Sequence, residues 1–137
     1  MKRTIGLIFW FVLLFMVLVS CMVGGLGTDL DGTSWRLVSL GSRPVLPGGG
    51  PTLSFEDGGV RGNSGCNSFG GEYKMRGSSI ELSQMFSTMM ACVENDRMEQ
   101  ETLYMQMLSD VDQYALTNGQ LILTTKNRQT LVFVPME

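Results

Sequence analysis

Apolar and polar side chains alternate along much of the chain after residue 32, with the period of two that is typical of half-buried β-strands. The alternation is clearest in the segments 35–40, 52–55, 80–83, 120–125 and 130–134. The pairs Asp57-Gly58 and Asn118-Gly119 separate such segments, and both favour tight hairpins because a type I′ turn needs positive φ at its two central residues. The pattern predicts a meander of short antiparallel strands whose first large core residue is Trp35.

The segment from Val60 to Tyr73 is unusually rich in glycine, which occupies positions 62, 65, 70 and 71. Glycine inside a strand weakens it and usually marks a bulge, a tight bend or the close approach of another backbone. We therefore predict a strand that bends near Cys66, directs the thiol inward and resumes at Glu72. The proline- and glycine-rich stretch 41–51 is predicted to be a loop.

One helix is predicted, over about residues 96–110. Asp96 and Glu99 have the spacing of a capping box at its start. Its predicted inner face follows the i, i+3, i+4, i+7 pattern and contains a single polar residue. The members of this face are Met98, Glu101, Tyr104, Met105, Leu108 and Val111.

Residues 1–20 have the organisation of an export signal. Lys2 and Arg3 precede an uncharged apolar run from Ile5 to Val19. The following Leu18-Val19-Ser20-Cys21 looks like a bacterial lipobox, in which Cys21 becomes the lipid-bearing first residue of the mature protein. The alternative is an uncleaved anchor helix, because the apolar stretch can be extended to Leu26 and then approaches the roughly 20 residues that span a bilayer.

Both alternatives predict an exported domain held at a membrane. The expected organisation is a lipoprotein-type signal peptide at 1–20, a flexible glycine-rich tether at 21–32 and one domain at 33–137. Met22 stands where an aspartate would indicate inner-membrane retention. In a cell with two membranes we therefore expect the periplasmic side of the outer membrane, and otherwise the outer face of the cell membrane.

Charge argues against a nucleic-acid partner. Removal of Lys2 and Arg3 with the signal changes the net charge from −3 to −5, and no cluster of Lys or Arg remains. Phosphate binding needs concentrated positive charge. The membrane is thus the first expected partner, through a lipid anchor or an N-terminal helix, together with an envelope protein or peptide.

Two cysteines, Cys66 and Cys92, remain once Cys21 is assigned to lipid. An even pair in an exported protein favours a disulfide. It would close a loop of about 26 residues and stabilise the fold by roughly 3.5 kcal/mol in the chain-entropy model. The alternative is a pair of buried thiols that behave as small apolar side chains.

The chain has no histidine. This excludes histidine-dependent triads and removes the commonest zinc ligand, so no metal and no cofactor are expected. Glu72 and Glu81 flank the glycine-rich hairpin and are the candidates for a carboxylate-based hydrolase. Acidic residues that alternate with apolar ones are, however, typical of the solvent-facing side of a sheet, and we assign no catalytic residue.

Three motifs follow one another in the order found in a known family. Residues 65–73 read Gly-Cys-Asn-Ser-Phe-Gly-Gly-Glu-Tyr, residues 87–92 read Ser-Thr-Met-Met-Ala-Cys, and residues 98–101 read Met-Glu-Gln-Glu. Together with the Trp35 strand and Leu121-Ile-Leu123, they resemble the META domain family, to which the heat-shock protein HslJ belongs. The positions that match the family motif are Gly65, Cys66, Asn67, Phe69, Gly71, Tyr73, Thr88, Met89 and Cys92. A basic residue common in the family between Thr88 and Met89 is absent.

The resemblance implies an α+β, mainly β domain: a small curved antiparallel sheet or partly open barrel of about 6–8 short strands, with one helix packed against it. Family members are often exported or lipid-anchored and have been linked to heat shock and novobiocin tolerance, with no established enzymatic activity. We therefore expect a non-enzymatic, membrane-tethered envelope protein that contributes to stress or drug tolerance through binding.

A second expectation comes from the likeness of the family fold to pilot lipoproteins of secretion channels. Such proteins hold lipid or peptide in a hydrophobic crevice of a β-barrel. In this chain Phe86, Met90 and Tyr104 would line the crevice beside the helix, with a secretion-channel peptide or lipid as its ligand.

Overall fold

The computed structural model describes residues 30–137; the predicted signal peptide, Cys21 and residues 22–29 of the predicted tether lie outside this range. Its elements in chain order are β1 (Thr33–Leu40), β2 (Arg43–Pro44), β3 (Thr52–Glu56), β4 (Gly59–Asn63), β5 (Ser68–Arg76), β6 (Ser79–Ser87), α1 (Asn95–Ser109), β7 (Val111–Thr117), β8 (Gln120–Thr125) and β9 (Thr130–Pro135). Within that range, no helix has the length and apolar character needed to cross a membrane.

The strands form one antiparallel sheet in the order β2-β1-β3-β4-β5-β6-β7-β8-β9. β1 also pairs with β9, where Arg36 lies opposite Val134, so every strand except β2 belongs to a closed barrel. The shortest pairing joins β6 to β7 through one residue pair, Ser79 opposite Gln113. The predicted mainly β fold with one helix is confirmed, and the barrel is closed rather than partly open.

Strand alternation places one side of each strand in the barrel interior, where it forms the core. Trp35 is buried there, as predicted, together with the fully buried Leu53, Phe55, Ile80, Leu121, Leu123, Leu131 and Phe133. Tyr104 of α1 enters the same core. Its ring centroid lies 5.9 Å from that of Phe69 and 6.4 Å from that of Phe133, so α1 completes the core of the barrel.

The buried face of α1 is rotated from the predicted one. The helix buries Gln100, Tyr104, Met107 and Leu108, whereas Met98 is 40% exposed. Oε1 of Gln100 accepts a hydrogen bond of 2.8 Å from the backbone N–H of Leu46, whereas its buried Nε2 has no hydrogen-bond partner among the described residues. Periodicity alone could not locate this face, since the partner of Gln100 lies in a distant loop.

The predicted capping box is wrong. The N-cap residue is Glu94, and it makes no side-chain capping hydrogen bond. Glu99 lies 3.4 Å from Arg43 in an exposed ion pair instead, and Glu94 likewise pairs with Arg97 at 3.3 Å. Glu94 and Glu99 therefore contact arginines rather than backbone N–H groups.

The glycine-rich segment is not one bent strand, as predicted, but two strands joined by a tight connection at 64–67. Gly65 has a φ of 138°, which favours glycine and allows the chain to reverse there. The predicted bulge exists further along, where the β5–β6 register shifts between Gly70 and Glu72. Opposite this shift, Gln84 has a φ of 51°.

The two turn predictions are confirmed. Asp57 and Gly58 have φ values of 51° and 75°, and Asn118 and Gly119 have values of 52° and 75°. Each pair connects adjacent strands of the barrel, β3 to β4 and β7 to β8.

The folded domain extends further toward the N-terminus than the predicted boundary at residue 33. Leu30 is completely buried, and the backbone N–H of Gly32 donates to the carbonyl oxygen of Phe55 at 2.8 Å. Asp31 accepts a hydrogen bond of 2.6 Å from the backbone N–H of Asp57. Residues 30–32 therefore belong to the fold rather than to a tether.

Gly62 gives a direct test of why this segment needs glycine. A Cβ atom at Gly62 would lie 2.0 Å from the carbonyl oxygen of Thr52 and 2.9 Å from the ring of Phe69. We expect Gly62→Ala to lower the free energy of unfolding by about 1–3 kcal/mol, because the β3 backbone must move to admit the methyl group. Urea denaturation measures this loss. Gly59→Ala is the control, since its closest contact would be 3.2 Å from the carbonyl oxygen of Glu56; equal losses in both variants would contradict the explanation.

Candidate functional site

The Glu101 carboxylate of α1 lies at the centre of the family-like motifs. Its Oε2 accepts hydrogen bonds from the hydroxyl of Ser64 at 2.9 Å and from the backbone N–H groups of Cys66 and Asn67 at 2.8 and 2.9 Å. Its Oε1 accepts a further hydrogen bond from Nδ2 of Asn67 at 2.5 Å. The carboxylate thus holds the whole connection between β4 and β5.

Asn67 carries the network onward to the segment after β6. Its Oδ1 accepts hydrogen bonds from the Thr88 hydroxyl at 2.8 Å and from the backbone N–H of Met90 at 2.7 Å, and its Nδ2 donates to the Met90 carbonyl oxygen at 3.0 Å. Since Nδ2 also donates to Glu101, both donors and the acceptor of this buried amide are used. We call the group formed by Ser64, Asn67, Thr88 and Glu101 the polar junction.

A disulfide between Cys66 and Cys92 lies beside the polar junction, with a Cα–Cα distance of 5.6 Å. The predicted bridge is confirmed. It joins the same two segments as Asn67 does, the β4–β5 connection and the segment that leads into α1. Covalent and hydrogen-bonded links therefore fix residues 88–92 to the barrel together.

The hydrogen bonds also determine the charge of Glu101. Burial by itself raises the pKa of this carboxyl group, but the donors of Asn67, Cys66 and Ser64 outweigh it and hold the pKa below its ordinary value of 4.5. The group is therefore ionised at neutral pH. Chemically it is a hydrogen-bond acceptor held in place by its partners, and it has no proton to give.

One group of ligand-type atoms occurs at the same place. The sulfur atoms of Cys66 and Cys92 and a carboxylate oxygen of Glu101 lie within 4.8 Å of one another. The thiolate is the form of cysteine that binds metals, and here the sulfurs are bonded to each other. The carboxylate is also occupied by its four donors, so this arrangement fits a structural junction better than a metal centre.

The structure brings together five of the residues selected from the sequence. Gly65, Cys66, Asn67, Thr88 and Cys92 all belong to the junction or border it. The others lie elsewhere. Phe69 is in the core, Gly71 is in β5 beside the Met85 side chain, and Tyr73 packs on Phe55 with ring centroids 5.0 Å apart.

Met89 points away from the network and is 98% exposed. Cys21 lies outside the described residues. Glu72 and Glu81, the candidates for a hydrolase pair, are exposed on strands β5 and β6, where Lys74 lies opposite Glu81 and Ser83 opposite Glu72.

The predicted crevice is wrong in its composition. Tyr104 is completely buried, whereas Phe86 and Met90 are 69% and 62% exposed. A side chain without accessible surface cannot line an open crevice, so these three residues share no surface binding site. The structure does have a small groove of about 190 Å³ at another place, between α1 and the β1–β2 hairpin, where Leu40, Leu46 and Leu103 line it with Arg43 and Glu99.

Several large apolar side chains are exposed around the segment that the junction fixes. Phe86, Met89, Met90, Val93 and Met98 are 69%, 98%, 62%, 103% and 40% exposed. We call these five residues the apolar loop surface. Scattered exposed apolar residues are normal on a protein, but four of these five lie within residues 86–93, and a concentration of this kind favours a binding role.

Glu101 and Ser64 were missed as site residues from the sequence. The signal for Glu101 was present, because it is the only polar member of the predicted apolar helix face. The role of Glu101 could not be inferred from the sequence, because all its hydrogen-bond donors come from residues 64–67, more than 30 positions earlier in the chain. Ser64 carried no signal beyond its place in a turn-like segment.

Comparisons with known proteins agree with this architecture. The family model described as META domain matches residues 28–137. An NMR structure of a protein from Burkholderia xenovorans is 26% identical with a TM-score of 0.68, over 78% of this chain and 83% of that one. A second NMR structure is 29% identical with a TM-score of 0.62, over 77% and 90% of the two chains.

A crystal structure of a DUF4847 family protein from Bacteroides vulgatus shares the fold at 14% identity, with a TM-score of 0.54 over 80% of this chain and 96% of that one. No curated protein matches the sequence significantly.

Glu101→Gln tests the polar junction. The amide keeps the size of the side chain but places an NH₂ group where N–H donors converge, so we expect the free energy of unfolding at pH 7 to fall by about 2 kcal/mol. Because the folded pKa lies below the unfolded value, the contribution is present above the unfolded pKa and is lost as the pH falls through the folded pKa. Urea denaturation at pH 7 and below pH 4 measures both effects.

The control for this substitution is Glu99→Gln, on the exposed side of the same helix. Glu99 forms an ion pair with Arg43, and the side chains of Glu99 and Arg43 are 75% and 68% exposed. We expect little change there. A Glu101→Gln variant as stable as Glu99→Gln at neutral pH would refute the role given to the junction.

Proposed function

The chain belongs to the META domain family, and on that premise we propose that it is a membrane-tethered envelope protein that acts by binding rather than by catalysis. The expected benefit to the cell is tolerance of heat or of novobiocin. The tether is the lipid-modified Cys21 that the sequence motif indicates. The domain from residue 30 onward is the binding part.

The observation that carries the proposal is the contrast between the polar junction and the apolar loop surface. The polar groups of the family-like motifs bond to one another: Asn67 uses both ends of its amide, and Glu101 accepts four hydrogen bonds. What they hold toward solvent is an apolar segment, with Met89 98% exposed. Such an arrangement favours contact with an apolar partner.

The tether rests on the sequence alone. Lys2 and Arg3, the apolar run to Val19 and the lipobox-like residues 18–21 occur in the order that export and lipidation require. A lipid-modified cysteine carries more than one acyl chain, and two or more chains anchor a protein stably where a single chain does not.

Cys21→Ala is the test of the tether. In cells that express the full chain, we expect a radioactive fatty acid to label the wild type and not the variant, and the variant to leave the membrane fraction. Survival at high temperature and in novobiocin should then fall toward that of cells that lack the protein. Cys66→Ala with Cys92→Ala is the control, because it removes the other two cysteines and should leave the label unchanged. Equal labelling of wild type and Cys21→Ala would refute lipidation, and unchanged survival without the protein would refute the stress role.

A further inference from the structure

The apolar loop surface is centred on an uncharged run of sequence. Residues 86–93 read Phe-Ser-Thr-Met-Met-Ala-Cys-Val, and the side chains of Met89 and Val93 are 98% and 103% exposed. Values this high mean that both side chains extend away from the protein body without lateral neighbours. The surface is therefore a protrusion rather than a groove.

The protrusion is held firmly. The Cys66–Cys92 disulfide fixes one side of it, and Asn67 bonds both the N–H and the carbonyl oxygen of Met90. A flexible loop with the same sequence could turn its methionines inward, but this backbone is bonded at both places. The backbone that carries the apolar side chains is consequently held in place, and its ordering entropy is already lost on folding.

The position of the N-terminus allows this protrusion to reach the membrane that the proposed tether defines. Asp31 lies near the middle of β5, where its side chain is 3.4 Å from that of Tyr73. The protrusion adjoins the Ser68 end of the strand, where the carbonyl oxygen of Ser68 accepts a hydrogen bond of 3.0 Å from the N–H of Thr88. The five residue steps from Ser68 to Tyr73 correspond to about 17 Å of strand. Residues 22–29 can span up to about 26 Å when extended, so Cys21 and the protrusion can meet one bilayer.

We propose that the apolar loop surface inserts into the interfacial region of a lipid bilayer and holds the barrel against the membrane. This rests on the proposed membrane tether, which brings the bilayer within reach, but it assigns a second and separate membrane contact to the folded domain. The two contacts together would fix the orientation of the domain, which a tether alone leaves free.

The charges beside the protrusion indicate which lipids it contacts. The N-cap residue Glu94 and Asp96 in the first turn of α1 follow it in sequence, and Arg97 is paired with Glu94 at 3.3 Å. Anionic headgroups are attracted by clusters of Lys and Arg, and no such cluster adjoins the loop in sequence. The contact is therefore with neutral, zwitterionic lipid, and it is driven by apolar burial rather than by charge.

Flotation with phosphatidylcholine vesicles tests this with residues 28–137, which contain the closed barrel and its core and lack the tether. We expect the domain to float with the vesicles, and the Met89→Ser/Val93→Ser variant to show at least about a tenfold lower partition coefficient, since two exposed apolar side chains are lost. Higher salt should leave binding unchanged, because screening weakens only charge interactions. Both side chains are fully exposed, so the fold should survive, as near-UV circular dichroism would verify.

The matched control is Leu116→Ser/Met136→Ser, which removes two apolar side chains that are 37% and 43% exposed away from the loop. It should float like the wild type. A Val93→Trp variant gives a positive signal, since its fluorescence should shift to the blue with vesicles and be quenched by brominated lipid.

Absence of flotation by the wild-type domain, or equal flotation of the two serine variants, would overturn the proposal. So would a dimer in analytical ultracentrifugation that Val93→Ser abolishes, because the loop would then bind a second copy. Fatty-acid labelling of the full chain decides the tether independently, so failure of either membrane contact can be recognised without the other.

Discussion

The hydrogen bonds around Glu101 link the helix, the β4–β5 connection and the segment after β6. A barrel of antiparallel strands needs no helix to satisfy its backbone, since each strand bonds its neighbours. Here one carboxylate on α1 accepts hydrogen bonds from the backbone N–H groups of Cys66 and Asn67. The helix is therefore hydrogen-bonded to the turn between two strands. Asn67 extends the link to residues 88–90. Three separate segments are thus joined by one pair of side chains, the buried Asn67 and the partly buried Glu101.

The disulfide reinforces the same junction in a different way. A covalent bridge reduces the freedom of the unfolded chain, whereas the amide and carboxylate of Asn67 and Glu101 select one conformation in the folded state. A buried polar network is favourable only when all its members are satisfied, and that condition is met here. The combination explains how an uncharged segment with several large apolar side chains stays outside the core.

The antiparallel strands, the hairpins and the single helix could be predicted because their causes are local, whereas the closure of the barrel by β1 and β9 could not. Alternation of apolar residues and the pairs Asp57-Gly58 and Asn118-Gly119 act over a few positions, and the structure follows them. The disulfide could be predicted from the expected export of the chain and the number of cysteines. The helix face, the capping of α1 and the role of Glu101 could not, because Gln100 and Glu101 find their partners at Leu46 and at residues 64–67. The sequence analysis placed Tyr104 in a crevice because a tyrosine side chain is amphipathic. Only the packing shows that its ring fills the barrel beside Phe69 and Phe133.

The pairing of β1 with β9 also brings the two ends of the folded domain together. The backbone N–H of Met136 donates to the carbonyl oxygen of Ser34 at 2.8 Å, so the last strand finishes beside the first. The domain consequently has no terminal strand that can be removed without opening the barrel on both sides, as β9 contacts β1 and β8 at once. Adjacent ends of this kind are suited to circular permutation: a short linker between residues near 30 and 137 would leave every strand pair intact, and new ends could be opened at an exposed turn such as Asn118-Gly119.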